Sequence, residues 1–513
     1  MGRLPDLHAG RDGVISLRNF SYRFEGAEAP VLRDVCLDVA PGDFLVVTGP
    51  SGSGKSTLAL ALSGFLFNQY GGVATGSIIV DGLDVGQAPI YEVAEVVGLV
   101  QQNPEAQFCT LTVLDEVAFG LENRCLPREE ILTRVDWALD VVGAAHLRYR
   151  ELATLSGGEQ QRVAVASMLV GRPKVLIFDE PTSNLDPPAT AAIFDVIARV
   201  RETAALTVIV IEHKTEYLRR FEPRWIRVDG GMVAEADRPP MAMWRAVRRK
   251  GVDGAGRVGH GDTVARLDRV SVGYGGGWVL QDLSLSLNAG EFVVLMGDNG
   301  SGKSTLLQSL VGFLKPVQGR VEILGHDTQR TPISQLARYV GYLFQNPDHQ
   351  LFGDTVWEEA ILAPRNFGML DDGRRAEIER WVERVGLQGR EADPPFRLSY
   401  GQKRRLNLIS VLGHAPRLLL LDEVLIGQDP GNAAFVLTLL RETADRGVGV
   451  LLVSHAPEVV ATYADRVLFL SEGRVVVDAG PDEASVQLAA LGCWAYVGSA
   501  EDIPQRLADG GEG

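Results

Sequence analysis

Gly49-Pro50-Ser51-Gly52-Ser53-Gly54-Lys55-Ser56-Thr57 stands between an apolar run, Phe44-Leu45-Val46-Val47-Thr48, and a helix-compatible stretch, Leu58-Ala59-Leu60-Ala61-Leu62. Strand, glycine loop and helix in that order is the setting in which G-x-x-x-x-G-K-[ST] forms a phosphate cradle. The glycines let the backbone pass close to a polyphosphate, so that successive N–H groups point at its oxygens. Lys55 reaches the β- and γ-phosphates in this reading, Ser56 offers a hydroxyl to Mg²⁺, and the helix N-terminus adds its positive end.

Working outward, the same stretch occurs again as Gly297-Asp298-Asn299-Gly300-Ser301-Gly302-Lys303-Ser304-Thr305. The two lysines are 303 − 55 = 248 residues apart. Downstream, Gln102 and Gln345, Ser156 and Ser399, and Asp179 and Asp422 each differ by 243, and His213 and His455 by 242. A near-constant offset through several motifs marks a duplicated domain. The first module is expected over about 14–234 and the second over about 264–482, joined by a linker at 235–263. The linker holds a basic stretch, 245–250, read as solvated, and then glycines at 251, 254, 256, 259 and 261 that read as a flexible tether. A tail at 483–513, with Trp494 and Tyr496, carries no legible motif.

Composition narrows the classes. A chain of 513 residues with 46% hydrophobic and 23% charged residues is globular and holds two or more domains. Its formal net charge of −16 argues against nucleic acid as a bulk partner, which would need a basic face. No apolar stretch approaches the roughly 18 residues that span a bilayer, and the N-terminus lacks the apolar core of a signal peptide. The four cysteines, Cys36, Cys109, Cys125 and Cys493, fit no metal-ligand spacing and suit a reducing cytosol.

Each module then repeats one order of motifs. The alternating Asn19-Phe20-Ser21-Tyr22-Arg23-Phe24 reads as a strand with one wet face, and Phe24 aligns with Tyr274. These aromatics suit either stacking on an adenine ring or the core. Gln102 and Gln345 end apolar runs and are followed by Asn-Pro, where each can touch both a metal-bound water and a mobile segment. Leu155-Ser156-Gly157-Gly158-Glu159 opens a helix with the spacing of a capping box, giving a second anion-compatible N-terminus without a lysine of its own. Any phosphate it meets would then belong to another module's nucleotide. Val175-Leu176-Ile177-Phe178 and Leu418-Leu419-Leu420-Leu421 read as strands buried on both faces, and they lead into Asp179-Glu180 and Asp422-Glu423. Asp179 can hold Mg²⁺ through water, and Glu180 can take a proton from an attacking water. His213 and His455 follow further buried strands, where a paired recurrence favours γ-phosphate sensing over a structural role.

In this arrangement the chain resembles the ATP-binding-cassette (ABC) ATPases, twice over. The resemblance implies an α/β fold: two tandem P-loop NTPase domains, each a mainly parallel sheet core with an antiparallel β subdomain and a helical subdomain. It makes Gly49–Ser56 and Gly297–Ser304 the Walker A loops, with Thr57 and Thr305 beside them. Gln102 and Gln345 become Q-loop residues that also approach the metal, and Ser56, Asp179, Ser304 and Asp422 its other ligands. Glu180 and Glu423 become catalytic glutamates, His213 and His455 switch histidines, and Asp186 and Asp429 the ends of the D-loops. It also implies that two modules pack head to tail, so that ATP-Mg²⁺ at one Walker A meets Ser399 and Gly401, and at the other Ser156 and Gly158.

Asn103-Pro104-Glu105-Ala106-Gln107-Phe108, with Thr112-Val113-Leu114-Asp115-Glu116, resembles the ATPases of energy-coupling-factor importers for vitamins and transition-metal ions. That likeness implies an ATPase at the cytoplasmic face of the cell membrane, with an integral membrane coupling protein and a substrate-capturing membrane protein as separate chains, and no nucleic acid. A fused sugar-importer ATPase and a soluble two-module translation factor are the alternatives. The intact Lys303 and Ser304 weigh against the first, the short glycine-broken linker and the acidic charge against the second. Tyr400 stands where the first signature has Gly157, and Val424-Leu425-Ile426-Gly427-Gln428-Asp429 departs from Pro181-Thr182-Ser183-Asn184-Leu185-Asp186. A left-handed conformation at Tyr400 would cost roughly 1–2 kcal/mol. These departures put equal activity of the two sites in question.

Overall fold

The computed structural model of the chain describes residues 13–183, 185–204, 206–236, 261–274 and 277–497. The chain divides into two compact units, 1–241 and 242–513. Most of the expected linker lies outside the described residues, as do Asn184 and the side chain of Tyr274.

The first unit is built on a six-stranded sheet in the order Met232–Ala236, Arg224–Asp229, Phe44–Thr48, Thr207–Ile211, Val175–Asp179, Val97–Val100. All neighbours are parallel except the first pair. The stretches 44–47, 208–211 and 175–178 are apolar at every position because both faces are covered. Along Phe44–Thr48, Leu45 and Val47 pack under the second, antiparallel sheet, whereas Phe44 and Val46 pack under helices. The antiparallel sheet runs Leu32–Val39, Ile15–Phe24, Gly72–Val80, Leu83–Asp84. Its long strand alternates as the sequence predicts, with a register shift at Asn19, which takes a left-handed φ of 46°. The helices Val113–Asn123 and Arg128–Val141 flank the signature helix Gly157–Leu169 and share its core.

The second unit repeats this plan. Its large sheet runs Val340–Leu343, Leu418–Leu421, Gly449–Val453, Phe292–Met296, Arg466–Ser471, Arg474–Ala479, and its small one Gly277–Asn288, Thr263–Tyr274, Gln318–Ile323, His326–Asp327. The apolar residues of Phe292–Met296 are again shared between two cores. One addition has no described counterpart in the first unit. The helix Pro481–Ala490 and the turn Trp494–Tyr496 bury Ala484, Leu488 and Tyr496 in the main core.

Parallel strands end together. Val100 pairs with Phe178, Asp179 with Ile211, and Val47 with Ile211, so Gly49, Gln102, Glu180 and His213 all leave one edge of the sheet. That carboxyl edge is where open α/β sheets bind ligands.

Candidate active sites

Each phosphate loop connects its strand to a helix whose first residue is the lysine, Lys55 or Lys303. The loop requires glycine where it turns tightest. Gly49 has φ 147°, and a Cβ there would lie 2.0 Å from the Val228 carbonyl oxygen. Lys55 Nζ donates to the Gly49 and Pro50 carbonyls at 3.0 Å each, and Lys303 Nζ to those of Gly297 and Asp298 at 2.8 and 2.9 Å. Both lysines are buried, and each ammonium lies inside the curve of its loop, where a phosphate oxygen could take over as acceptor.

Three side chains converge in each module. In the first, Gln102 Nε2 donates to Glu180 Oε2 at 3.2 Å, and His213 Nε2 lies 3.3 Å from Glu180 Oε1. In the second, Gln345 Nε2 donates to Glu423 Oε2 at 3.0 Å, and His455 Nε2 lies 3.1 Å from Glu423 Oε1. Both glutamates occupy the left-handed region, with φ of 48° and 49°. A non-glycine residue held there stores about 1–3 kcal/mol of strain, and such strain clusters at sites of chemistry. Glu423 is thus hydrogen-bonded from two sides, whereas Glu180 is hydrogen-bonded by Gln102 and only approached by His213, whose Nε2 makes no hydrogen bond.

The neighbouring aspartates have a different environment. Ser56 Oγ donates to Asp179 Oδ1 at 3.1 Å, and the Ser304 hydroxyl donates to Asp422. Burial, and then the Glu180 charge, pushes Asp179 up to about 6. Asp422 is raised chiefly by burial, and Tyr342 donates to its Oδ2 at 3.2 Å. A buried carboxylate beside a hydroxyl is an oxygen-only donor set that suits Mg²⁺, which keeps several waters and takes its remaining ligands from substrate phosphates. No group of three or more His, Cys, Asp or Glu that could hold a metal occurs among the described residues.

The signature segments fold as capped helices in both modules. Ser156 accepts from the Glu159 backbone while Glu159 accepts from the Ser156 backbone, and Ser399 and Gln402 do the same. Chiefly the hydrogen bond from the Ser156 N–H holds the Glu159 carboxyl below its usual range. Tyr400 is the first residue of its helix and is absent from the left-handed residues, so the expected strain does not arise. Its ring reaches across instead. Tyr400 Oη donates to the Gln345 carbonyl at 3.4 Å, and the fully buried Arg404 donates to the Phe344 and Gln345 carbonyls. In the first module the equivalent Gln161 is buried and its Nε2 has no hydrogen-bond partner. Phe24 lies half-buried at the end of its strand, edge-on to Tyr22 and Tyr70. Asp186 and Asp429 cap the helices that follow them.

Some participants escape a reading of motifs. Glu212 is buried, accepts from the backbone N–H of His213 and from Thr182 Oγ1 at 2.6 Å, and so braces the histidine turn. A glutamate closing an otherwise apolar strand was its signal. Its counterpart, Ser454, braces the second turn through the Ala456 N–H.

The ABC transporter family matches residues 32–183 and 280–425, more than half of the chain and once in each unit. The chain is a tandem ABC ATPase. Its relatives agree with that assignment along most of their length. A protein of Methanosarcina mazei, named as an ABC transporter ATP-binding protein, is 33% identical over 97% of this chain and 99% of its own. One of Caldanaerobacter subterraneus with the same kind of name is 30% identical, covering 90% of this chain and 91% of that protein. A Bacillus subtilis protein named for HMP/thiamine import, YkoD, is 32% identical over 94% of each chain. Among solved structures, the ATPase cbiO1 of Clostridium perfringens, titled as part of the complex cbiONQ, is 30% identical with a TM-score of 0.41, covering 45% of this chain and 94% of that one. ABC ATPases of this family bind ATP and hydrolyse it to drive transport. No helix among the described residues is long and apolar enough to cross a membrane.

Proposed function

We propose that this ABC ATPase is the energy-coupling subunit of an importer of the energy-coupling-factor kind, for a vitamin or a transition-metal ion. The single observation that carries the ATPase part is the duplicated convergence of glutamine, glutamate and histidine beside an intact phosphate loop. Two complete sets make two hydrolytic sites, one on Lys55, Gln102, Asp179, Glu180 and His213, the other on Lys303, Gln345, Asp422, Glu423 and His455. Within this reading the loop residues 49–57 and 297–305 cradle the phosphates, and Phe24 and Tyr274 lie at the adenine end. Ser56 and Asp179, and Ser304 and Asp422, would hold Mg²⁺, with Gln102 and Gln345 nearby. Bound there, the metal would neutralise charge on the phosphates. Glu180 and Glu423 take the proton of the attacking water, and His213 and His455 fix those carboxylates and touch the γ-phosphate. Ser156 and Gly158 complete the second site, and Ser399 and Gly401 the first, so that nucleotide binding draws the modules together and hydrolysis releases them. Lys55→Ala should weaken binding at one site only, leaving one MgATP per chain by calorimetry. Loss of both would show that neither site fills alone.

The importer type is supported by the Asn-Pro segments. Asn103 and Asn346 cap short turns, and Gln107 and Gln350 bind the backbone of the preceding strand end. Just beyond them Leu111 is 82% exposed and Phe352 is 74% exposed, large apolar surfaces that a membrane partner would cover. The relative named for HMP/thiamine import points the same way. The coupling and substrate-capturing membrane proteins would be separate chains, and the ATPase would sit peripherally on the cytoplasmic face. The test is affinity purification of the tagged chain from detergent-solubilised membranes. Apolar membrane proteins should co-purify, and Leu111→Asp with Phe352→Asp should release them. Recovery of ribosomes instead would favour the translation-factor alternative.

A further inference from the structure

After the helix Pro481–Ala490 the chain turns at Gly492, φ 76°, and closes with one turn, Trp494–Tyr496. Trp494 is exposed, but Tyr496 is only 4% exposed. Its ring meets Phe469 edge-on at 4.9 Å and lies 6.1 Å from the ring of His455. Its hydroxyl donates to Asp298 Oδ1 at 2.7 Å. Asp298 is the second residue of the phosphate loop, and its own carbonyl accepts from Lys303 Nζ. Two residues assigned to the second ATP site, Asp298 and His455, therefore meet one side chain from a segment that carries no motif.

The chemistry of that contact is specific. An ionised carboxylate in a phosphate loop repels the triphosphate that the loop is built to hold, unless it is turned away and its charge is shared with a donor. A short bond from a buried phenol to a carboxylate does both, because charge-assisted bonds are strong and directional. The equivalent residue of the first loop is Pro50, which bears no charge and needs no such partner.

We propose that Tyr496 is a positioning residue of the second ATP site, holding the Asp298 carboxylate away from the bound triphosphate. This rests on the reading of 297–304 as an ATP-binding loop. The C-terminal segment thereby sets the nucleotide affinity of one site and not of the other.

The experiment uses the full chain carrying Lys55→Ala, so that the second site alone binds, with MgATP titrated calorimetrically. Tyr496→Phe keeps the ring against Phe469 and deletes only the donor. It should raise Kd about 5- to 20-fold, and adding Asp298→Asn should bring Kd back to within twofold of the Lys55→Ala parent. In a Lys303→Ala background, where the first site alone binds, Tyr496→Phe should change Kd less than twofold. An unchanged Kd in the Lys55→Ala background, failure of Asp298→Asn to reverse the loss, or an equal loss at the first site would each overturn the proposal. Loss through damaged packing would not be reversed by removing a charge. An unsubstituted chain that binds a single MgATP, lost in Lys55→Ala and kept in Lys303→Ala, would instead overturn the assignment of the second loop itself, and this proposal with it.

Discussion

Replacing Glu423 by Gln lowers the steady-state ATPase rate of the full chain by about 10²–10⁴ at that site if Glu423 is the proton acceptor. Gln keeps the shape of the side chain, and its amide still meets Gln345 and His455, which lie 3.0 and 3.1 Å from the carboxylate. What it loses is the capacity to take a proton. MgATP should therefore bind with little change in affinity while turnover collapses. Glu180→Gln makes the same test in the first module, where the corresponding distances are 3.2 and 3.3 Å. The clamps differ in one bond: His455 is hydrogen-bonded to its glutamate and His213 is not. If the two sites fire independently, each variant keeps the output of the other site, and if they fire together, either substitution stops both. Unequal losses would trace to that difference or to the Tyr400 and Arg404 bonds to the backbone of the Gln345 segment. Hydrolysis that persists in the double variant would remove both glutamates from the role.

Asp179→Asn is expected to act in opposite directions on activity and on stability. In the reading proposed above, loss of the carboxylate removes the anionic ligand that Asp179 would offer to Mg²⁺, so Mg²⁺-dependent hydrolysis at the first site should fall by at least about 10². The nucleotide-free protein, however, should become harder to unfold. Burial and the Glu180 charge push this carboxyl from its ordinary range up to about 6. A group whose pKa is higher when folded contributes stability that is full below its unfolded pKa and is lost as pH rises through the folded one. Above pH 6 the ionised Asp179 is thus a net cost, about 3 kcal/mol for a shift of roughly two units. Asn carries no charge, so its melting temperature at pH 7.5 in chelator should exceed the parent's by a few degrees. The gain should shrink towards pH 5, where the parent's carboxyl is already protonated. A lower melting temperature at pH 7.5 would show that the Ser56 bond outweighs the burial.

The parts of the fold visible in the sequence were those fixed by local chemistry. The glycine loops, the capping boxes at Ser156 and Ser399, and the wholly apolar strands before Asp179 and Asp422 each follow from backbone or burial demands on a few consecutive residues. The repeat supplied what one copy could not, since Gln102 or His213 alone reads as an ordinary turn residue. The convergence of these side chains on one carboxylate depends on strand order, which puts Val97–Val100 beside Val175–Asp179 and both on the carboxyl edge. The contacts that stayed hidden are long-range and occur once. Arg404 on the Gln345 backbone, Tyr342 on Asp422 and Tyr496 on Asp298 span 59, 80 and 198 residues, and no periodicity or spacing encodes them. The strain expected of Tyr400 was absent for a related reason. A helix N1 position places no left-handed demand on its residue, and the glycine of the first signature is helical as well.

The reading proposed above rests on one expectation, that a γ-phosphate held by one module's loop would also be gripped by the other module's signature turn. Photocleavage of the full chain trapped with MgADP and vanadate tests it directly, because the excited vanadate cuts only backbone that touches the γ-phosphate position. The account predicts cuts at both kinds of segment, the loops around Lys55 and Lys303 and the turns around Ser156 and Ser399. Cuts confined to the two loops, with both signature turns intact, would contradict it.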